Sequence, residues 1–228
     1  MRSSRREHSY PPRKRKSSEV PQRSPRHAKA ARNSPIVPII LAAGDRSGQV
    51  LPKPLARFGE RTALEIALEN CTGLARPIVV LGHQAKRVRP VIPPSVRVVV
   101  HPGWRSGQLS SLRAGLRRVP EDSPFLLYPV DYPLLTPSVI RRLVNAFGRR
   151  SAQHKIVVPT FHGRGGHPVI FSPAVRGELT RARTAREVVR KDDGRVKFVP
   201  VETAAIEKDF DTPASYRWCW RAYLRQRR

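Results

Sequence analysis

A loop of small residues that ends at a lysine is the first part of the chain that could do chemistry. It follows the apolar run 36–42 and contains Gly44 and Gly48 before it reaches Lys53. Small side chains let backbone N–H groups approach phosphate oxygens, and a nearby lysine adds positive charge. The glycine spacing fits neither a P-loop nor the G-x-G-x-x-G dinucleotide loop. The segment therefore predicts a phosphate site of another type, the alternative being a simple turn after a strand.

Carboxylates at the ends of two predicted elements could bind a metal ion. Asp131 follows the apolar run 125–130, and Asp209 and Asp211 lie two residues apart, just ahead of Thr212. Magnesium prefers one or two carboxylates together with substrate phosphates and water. The structural alternatives are that Asp131 caps its local turn and that one of the later pair caps the helix that follows.

Two glycine-containing turns carry further polar side chains. Gly107 directly precedes a predicted helix that carries Ser110 and Arg113, and free N–H groups at a helix start suit an anion or a nucleobase edge. Trp104 could stack on a base or simply pack against the protein. His167 follows a turn between two predicted strands, where it either faces the ligand or is structural.

Alternating strands and helices must position these residues. The pattern predicts strands at 36–42, 77–82, 96–100, 124–130, 155–160, 167–171 and 196–201, and helices at 62–71, 108–118, 136–149, 184–191 and 213–225. Such alternation predicts an α/β fold with a mostly parallel sheet covered on both faces. Ligands bind such sheets at the carboxyl ends of the strands, so loops 43–53, 101–107 and 131–135 are expected to converge on one crevice.

Composition divides the chain into a tail and one domain. Residues 1–33 contain eleven Lys and Arg against two Glu, and almost no large apolar residues, so they predict a disordered basic tail ahead of a domain at 34–228. The net charge of +27 attracts polyanions, but nothing beyond charge supports a nucleic-acid partner outside the tail. No apolar run is long enough to span a bilayer and no signal peptide is evident, so a cytoplasmic protein is expected.

Five segments, in the same order as in the family, resemble the MobA-like nucleotidyltransferases and most closely their molybdenum cofactor cytidylyltransferase branch. They are Leu41 to Lys53, Gly107 to Arg113, Val130 to Pro137, Gly163 to Pro168 and Asp209 to Pro213. The resemblance implies a Rossmann-like three-layer α/β/α fold of the nucleotide-diphospho-sugar transferase type. It also implies transfer of NMP from an NTP to a phosphorylated acceptor with Mg²⁺, and for the closest branch CTP and molybdopterin, with release of pyrophosphate.

The same resemblance assigns roles to individual residues. It implies Lys53 and Arg46 as catalytic residues, Asp131 and Asp211 as metal ligands and His167 as an acceptor-binding residue. The nucleotide-binding residues that it implies are Leu41, Ala42, Ala43, Gly44, Lys53, Gly107, Ser110 and Arg113. The family's loop usually carries an arginine where this chain has Gly48, so either Arg46 substitutes for it or the loop is degenerate.

Three other functions fit parts of the sequence. A sugar-1-phosphate nucleotidyltransferase would use the same loop and lysine. A degenerate relative would bind cofactor or nucleotide without catalysis and act as a maturation chaperone for a molybdoenzyme client. A nucleic-acid binder would depend on the basic tail, and its affinity would fall steeply with salt.

Overall fold

The structure is a computed structural model that describes residues 35–45 and 51–227. The predicted tail, together with Arg46 and Gly48, therefore lies outside the described residues. The strands are β1 Val37–Ala42, β2 Arg57–Phe58, β3 Arg61–Thr62, β4 Ile78–Leu81, β5 Arg97–Val100, β6 Phe125–Pro129, β7 Ile156–Phe161, β8 Arg164–Gly165, β9 Val169–Phe171 and β10 Val196–Pro200. The α-helices are α1 Ala63–Asn70, α2 Ala85–Val88, α3 Gln108–Leu116, α4 Pro137–Gly148, α5 Arg176–Arg181, α6 Ala185–Arg190 and α7 Pro213–Gln226.

The central sheet is mostly parallel, as the alternating pattern predicts. Its strand order is β10-β7-β9-β6-β1-β4-β5, and the short β8 pairs with β7. Strand β1 pairs in parallel with β4 and β6, whereas β9 lies antiparallel between β6 and β7. Because β9 runs the other way, it begins at the edge of the sheet where β6 ends. The residues just before β9 therefore join the loops at the carboxyl edge.

Helices cover both faces of the sheet, which confirms the three-layer fold. One apolar core holds buried side chains of α1, α4 and α7, and a second core, on the other face, holds those of α3, α5 and α6. Each predicted strand and helix is present, with ends that differ by a few residues at most. The short helices α2 and α5, the β2–β3 hairpin and the two-residue β8 are additions that the sequence pattern does not predict.

Helix starts follow the residue types that cap them. Thr62 and Thr212 each accept a hydrogen bond from the backbone N–H three residues later, in capping boxes with Glu65 and Ser215. Thr136 also stands at the N-cap of α4, but its hydroxyl contacts that of Ser138, at 2.8 Å. The cap of α7 is thus a threonine, which leaves the aspartates ahead of it free for another role.

A glycine lets α3 lie close against the sheet, and its replacement is expected to destabilise the protein. A Cβ atom at Gly115 would lie 2.6 Å from Cγ2 of Ile39 and 2.9 Å from Cγ2 of Val80. The branched side chains of Ile39 and Val80 belong to two different strands and cannot both move away from a new methyl group. Gly115→Ala should therefore lower the free energy of unfolding by about 1–3 kcal/mol. Urea denaturation measures the change.

Gly148 is the matched control for that substitution. A Cβ atom there would meet no described atom within 4 Å, at the last residue of α4. Alanine has the higher helix propensity, so Gly148→Ala should leave the free energy of unfolding unchanged or raise it by up to about 1 kcal/mol. Equal effects of the two substitutions would contradict the close contact between α3 and the sheet.

Candidate active site

A cleft of about 330 Å³ opens at the carboxyl ends of β1 and β6. Parts of the three loops expected to converge form its walls, together with a residue from the C-terminal region. The lining residues are Leu41, Ala42, Ala43, Gly44, Lys53, Trp104, Arg105, Gly107, Gln108, Ser111, Pro129, Val130, Asp131 and Asp211. Most of the residues implied by the resemblance thus meet in one place.

Lys53 lines this cleft and joins two carboxylates that are far apart in sequence. Its Nζ donates a hydrogen bond to Oδ2 of Asp131, at 2.8 Å, and another to Oδ1 of Asp211. The Lys53 side chain is 12% exposed and that of Asp131 is 17% exposed, while Asp211 is 59% exposed. Burial alone would lower the pKa of Lys53, but the charges and hydrogen bonds of the two aspartates raise it above its ordinary value.

The residues present fit a divalent metal ion. The second oxygen of Asp131, Oδ1, is buried and has no hydrogen-bond partner among the described residues. A buried carboxylate oxygen without a donor is suited to a cation. Within the described ranges no group of three or more His, Cys, Asp or Glu could hold a metal ion. Asp131 and Asp211 would therefore need further oxygen ligands from substrate phosphates or water.

Asp209 supports the turn that carries Asp211. Its Oδ1 accepts a hydrogen bond from the backbone N–H of Asp211, at 3.4 Å. Burial raises the pKa of Asp209, and the negative charges of Asp211 and Asp131 raise it further. The three aspartates thus form one acidic group beside the ammonium of Lys53.

The start of α3 borders the cleft, but not with the two side chains that the resemblance implies. Gln108 and Ser111, three residues apart on one helix face, line the cleft. Ser110 Oγ instead donates to the carbonyl of Gly107, at 2.7 Å, and lies 3.0 Å from Nε2 of His101.

Arg113 lies further along α3 and serves to join two helices. Its guanidinium donates hydrogen bonds to the backbone carbonyls of Leu179, at 2.9 Å, and Ala182. These contacts join α3 to α5 and to the residue that follows it. The structure does not bring Ser110 or Arg113 to the wall of the cleft.

The loop after β4 also reaches the site, which the sequence reasoning missed. The backbone N–H of His83 donates to the carbonyl of Ala43, at 2.9 Å, and Nε2 of His83 lies 3.3 Å from Oδ1 of Asp45. A Cβ atom at Gly82 would lie 2.6 Å from both Ala43 and Trp104, so only glycine fits there. The sequence could have predicted this contact, because residues that follow a parallel strand lie at the ligand-binding edge of the sheet.

His167 lies beside Tyr132, the residue after Asp131, but outside the cleft lining. Its ring packs edge-on against the ring of Tyr132, with centroids 5.1 Å apart, and its backbone N–H donates to the carbonyl of Ile206, at 2.8 Å. Nδ1 is buried and has no partner among the described residues. Burial lowers the pKa of His167 to about 4, and the charge of Arg186 contributes to the decrease. The imidazole is therefore neutral at neutral pH.

The neutral imidazole of His167 should make the stability of the protein depend on pH. The folded pKa of about 4 lies below the ordinary value of 6.5, so the unfolded chain binds the proton more readily between these values. The contribution is complete above about pH 6.5 and is lost as the pH falls towards 4. Between pH 7.5 and 4.5 the wild type should therefore lose about 2 kcal/mol more of its unfolding free energy than His167→Gln does.

Urea denaturation at the two pH values tests this expectation, with His154→Gln as the control. His154 is only partly buried and its Nδ1 lies 2.8 Å from the hydroxyl of Ser151. The control should keep the pH dependence of the wild type. If the unfolding free energy of His167→Gln depended on pH as that of the wild type does, the pKa of the His167 ring would not be lowered by folding.

Comparisons with known proteins agree with the fold. The model of the MobA-like NTP transferase domain matches residues 38–196. The chain is 30% identical over 188 residues to nicotine blue oxidoreductase of Paenarthrobacter nicotinovorans, a match that covers 76% of this chain and 91% of that protein. It is 26% identical over 172 residues to the bifunctional protein GlmU of Rubrobacter xylanophilus, which covers 72% of this chain and 36% of that protein.

A solved structure shows the same architecture. Rv0371c of Mycobacterium tuberculosis H37Rv superposes with a TM-score of 0.73 and 28% identity, and the match covers 82% of this chain and 98% of that one. A complex of Rv0371c with manganese superposes with a TM-score of 0.70 and 29% identity, and this match also covers 82% of this chain and 98% of that one. The match to the family model spans β1 to the start of β10 and so includes the cleft, except for Asp211. The chain belongs to the MobA-like NTP transferase family and is an enzyme of the nucleotidyltransferase type.

Proposed function

We propose that this protein transfers CMP from CTP to the phosphate group of molybdopterin. A phosphate oxygen of the acceptor attacks the α-phosphorus of CTP, the bond to the bridging oxygen of the β-phosphate breaks, and pyrophosphate leaves with that electron pair. The observation that carries the proposal is the contact of Lys53 with both Asp131 and Asp211 at the end of the small-residue loop. This arrangement suits phosphoryl chemistry, which depends on positioning and charge neutralisation more than on covalent catalysis.

A divalent metal ion is part of this proposal, with Mg²⁺ as the expected ion. Asp131 and Asp211 would hold it, and the unpartnered Oδ1 of Asp131 supports that role. The manganese complex of Rv0371c, at 29% identity, also supports a metal in this family. When bound, the metal would neutralise charge on the reacting phosphates and on the leaving pyrophosphate.

The nucleotide would occupy the part of the cleft formed by residues 41–44 and the start of α3. A Cβ atom at Gly44 or Gly107 would meet no described atom within 4 Å, so the space above both glycines is open to a ligand. Backbone N–H groups there can approach phosphate oxygens without steric hindrance. Lys53 would contact the same phosphates from the other wall of the cleft.

The choice of CTP and molybdopterin rests on the five segments that, taken together and in order, resemble the cytidylyltransferase branch. The likeness to GlmU, at 26% identity, makes a sugar 1-phosphate the second candidate acceptor. The name of the Paenarthrobacter relative describes redox chemistry of that protein. The present site supports nucleotidyl transfer instead, because its charged side chains are those that bind phosphates and a metal.

Pyrophosphate release tests the proposal. The protein is incubated with Mg²⁺, each of the four ribonucleoside triphosphates, and either molybdopterin or a panel of sugar 1-phosphates. We expect release above background with CTP and molybdopterin, and little with the other pairs. Release only with a sugar 1-phosphate would replace the acceptor in this proposal. No release with any pair from folded protein would contradict nucleotidyl transfer and favour the non-catalytic chaperone for a molybdoenzyme.

A cytoplasmic location stays a prediction. None of the helices in the described ranges has the length and apolar composition that crossing a bilayer requires.

A further inference from the structure

A polar side chain interrupts the apolar face of α1. The helix buries Leu64, Ile66 and Ala67, and its last residue, Asn70, follows Ile66 by four residues on the same face. Asn70 is only 5% exposed. Burial of an amide costs free energy unless its N–H groups find acceptors, and an apolar residue would pack at this position without that cost. The presence of asparagine therefore indicates a role for its hydrogen bonds.

Both N–H groups of the Asn70 amide have acceptors in β6 and in the loop that follows it. Nδ2 donates to the hydroxyl of Tyr128, at 2.9 Å, and to the backbone carbonyl of Leu135, at 2.8 Å. The Tyr128 hydroxyl in turn donates to the backbone carbonyl of Tyr132, at 3.4 Å. Asn70 and Tyr128 are both buried, so water does not compete for the bond between them. Asn70 thus connects α1, directly and through Tyr128, to both ends of the segment 132–135.

These bonds fix the backbone immediately after the metal-binding carboxylate. Before Asp131, the backbone N–H of Val130 donates to the carbonyl of Leu41, at 3.0 Å, and so ties the chain to β1. After Asp131, the carbonyl of Tyr132 accepts from Tyr128. If this carbonyl moved, the backbone dihedral angles at Asp131 would change, and the direction of its carboxylate would change with them. Misplacement of a reacting group by about 1 Å can lower a rate by about a hundredfold.

We infer that Asn70 is a positioning residue for Asp131. It holds the loop after β6 so that one carboxylate oxygen of Asp131 meets Lys53 and the other is presented to the metal ion. This inference rests on the proposed function. Asn70 does not line the cleft, so it acts through the loop and not by contact with a substrate. Residues of this kind, which orient a metal ligand from behind, affect metal affinity and turnover nearly as strongly as the ligands do.

Metal binding is the first test. Asn70→Leu removes both N–H donors at nearly the same side-chain volume, and Tyr128→Phe removes the hydroxyl alone. Val188→Ala is the control, because it removes buried atoms of α6 from the core on the other face of the sheet. In titration calorimetry without substrates, the Kd for Mn²⁺ should rise about tenfold in Asn70→Leu and about threefold in Tyr128→Phe. Val188→Ala should bind Mn²⁺ as the wild type does.

The kinetic constants distinguish positioning from general stability. With CTP and molybdopterin, Asn70→Leu should lower kcat at least about tenfold and leave the KM for CTP within about twofold, because the nucleotide side of the cleft is unchanged. Val188→Ala should keep both constants, although it lowers the free energy of unfolding. Wild-type kcat and wild-type Mn²⁺ affinity in folded Asn70→Leu would overturn the inference.

Hydrogen exchange tests the loop itself without metal or substrate, and so separates this inference from the proposed function. The backbone N–H of Leu135 donates to the carbonyl of Tyr132, at 3.4 Å. In Asn70→Leu it should exchange at least about tenfold faster than in the wild type, while the N–H of Val130 keeps its rate. If no acceptor supports turnover but this pattern is seen and Mn²⁺ binding weakens, the proposed function fails and the positioning role stands. Equal acceleration at Leu135 and Val130, or none at Leu135, would overturn the positioning role.

Discussion

Replacing Asp131 by asparagine should reduce pyrophosphate release roughly a thousandfold, because it removes the charge on which both Lys53 and the metal depend. Oδ2 of Asp131 accepts a hydrogen bond from Lys53 and Oδ1 is buried without a partner. Asparagine keeps the shape of the side chain but places a neutral amide at these positions. A bound metal ion contributes several kcal/mol to the stabilisation of transition-state charge, and each 1.4 kcal/mol corresponds to about a tenfold change in rate.

The control for this substitution is Glu121→Gln, which also neutralises one carboxylate. Glu121 is exposed and precedes β6, so it lies at the edge of the sheet opposite the cleft. Its variant should release pyrophosphate at the wild-type rate. Titration calorimetry with Mn²⁺ should show weaker binding for Asp131→Asn than for the control, with similar urea denaturation for both. An Asp131→Asn protein with more than a tenth of the wild-type rate would contradict a metal-binding role for Asp131.

The same pair of variants separates an enzyme from a scaffold. A non-catalytic relative would bind a molybdoenzyme client through its surface and would not depend on the charge of a side chain that is 17% exposed. Binding of a client that persists in Asp131→Asn, in a protein without measurable turnover in the wild type, would favour the scaffold. Loss of turnover with retained folding favours the enzyme.

Much of the site could be predicted from the sequence because strands and their loops obey a simple geometric rule. The apolar runs that became β1 and β6 each end at a polar or small residue, and parallel strands present those ends at one edge. This rule brings Lys53 and Asp131 together although 78 residues separate them. The sequence alone names Asp211 as one of two possible metal ligands ahead of Thr212. Its place beside Lys53, 158 residues away, required the family resemblance, since no strand leads into it.

The remaining features depend on contacts between elements, which the sequence pattern does not contain. The direction of β9 is one of them, because a three-residue apolar strand pairs equally well either way until its neighbours are known. The rotation of α3 about its own axis is a second such feature. This rotation places Gln108 and Ser111 at the cleft, and Arg113 at backbone carbonyls at the end of α5.

Replacing Lys53 by methionine should have two opposite effects, and this combination makes it a sharp test of the site. The ammonium of Lys53 donates to both Asp131 and Asp211, so it already offsets the negative charge of the two carboxylates that would hold a metal ion. Without it the two carboxylates repel each other, and a divalent cation gains more by binding between them. Mn²⁺ affinity should therefore rise by about threefold or more, while pyrophosphate release falls by roughly a hundredfold because the phosphates lose a cation.

Lys197→Met is the matched control, since it removes a lysine from β10, the strand at the far edge of the sheet. It should change neither Mn²⁺ affinity nor turnover. Calorimetry at constant ionic strength and a pyrophosphate assay at saturating metal measure the two effects separately. If Lys53 served only to stabilise the fold, its loss would lower the free energy of unfolding and reduce both metal affinity and turnover. A simultaneous gain in metal affinity and loss of turnover, with no comparable change in Lys197→Met, requires that the lysine and the metal share the same pair of carboxylates.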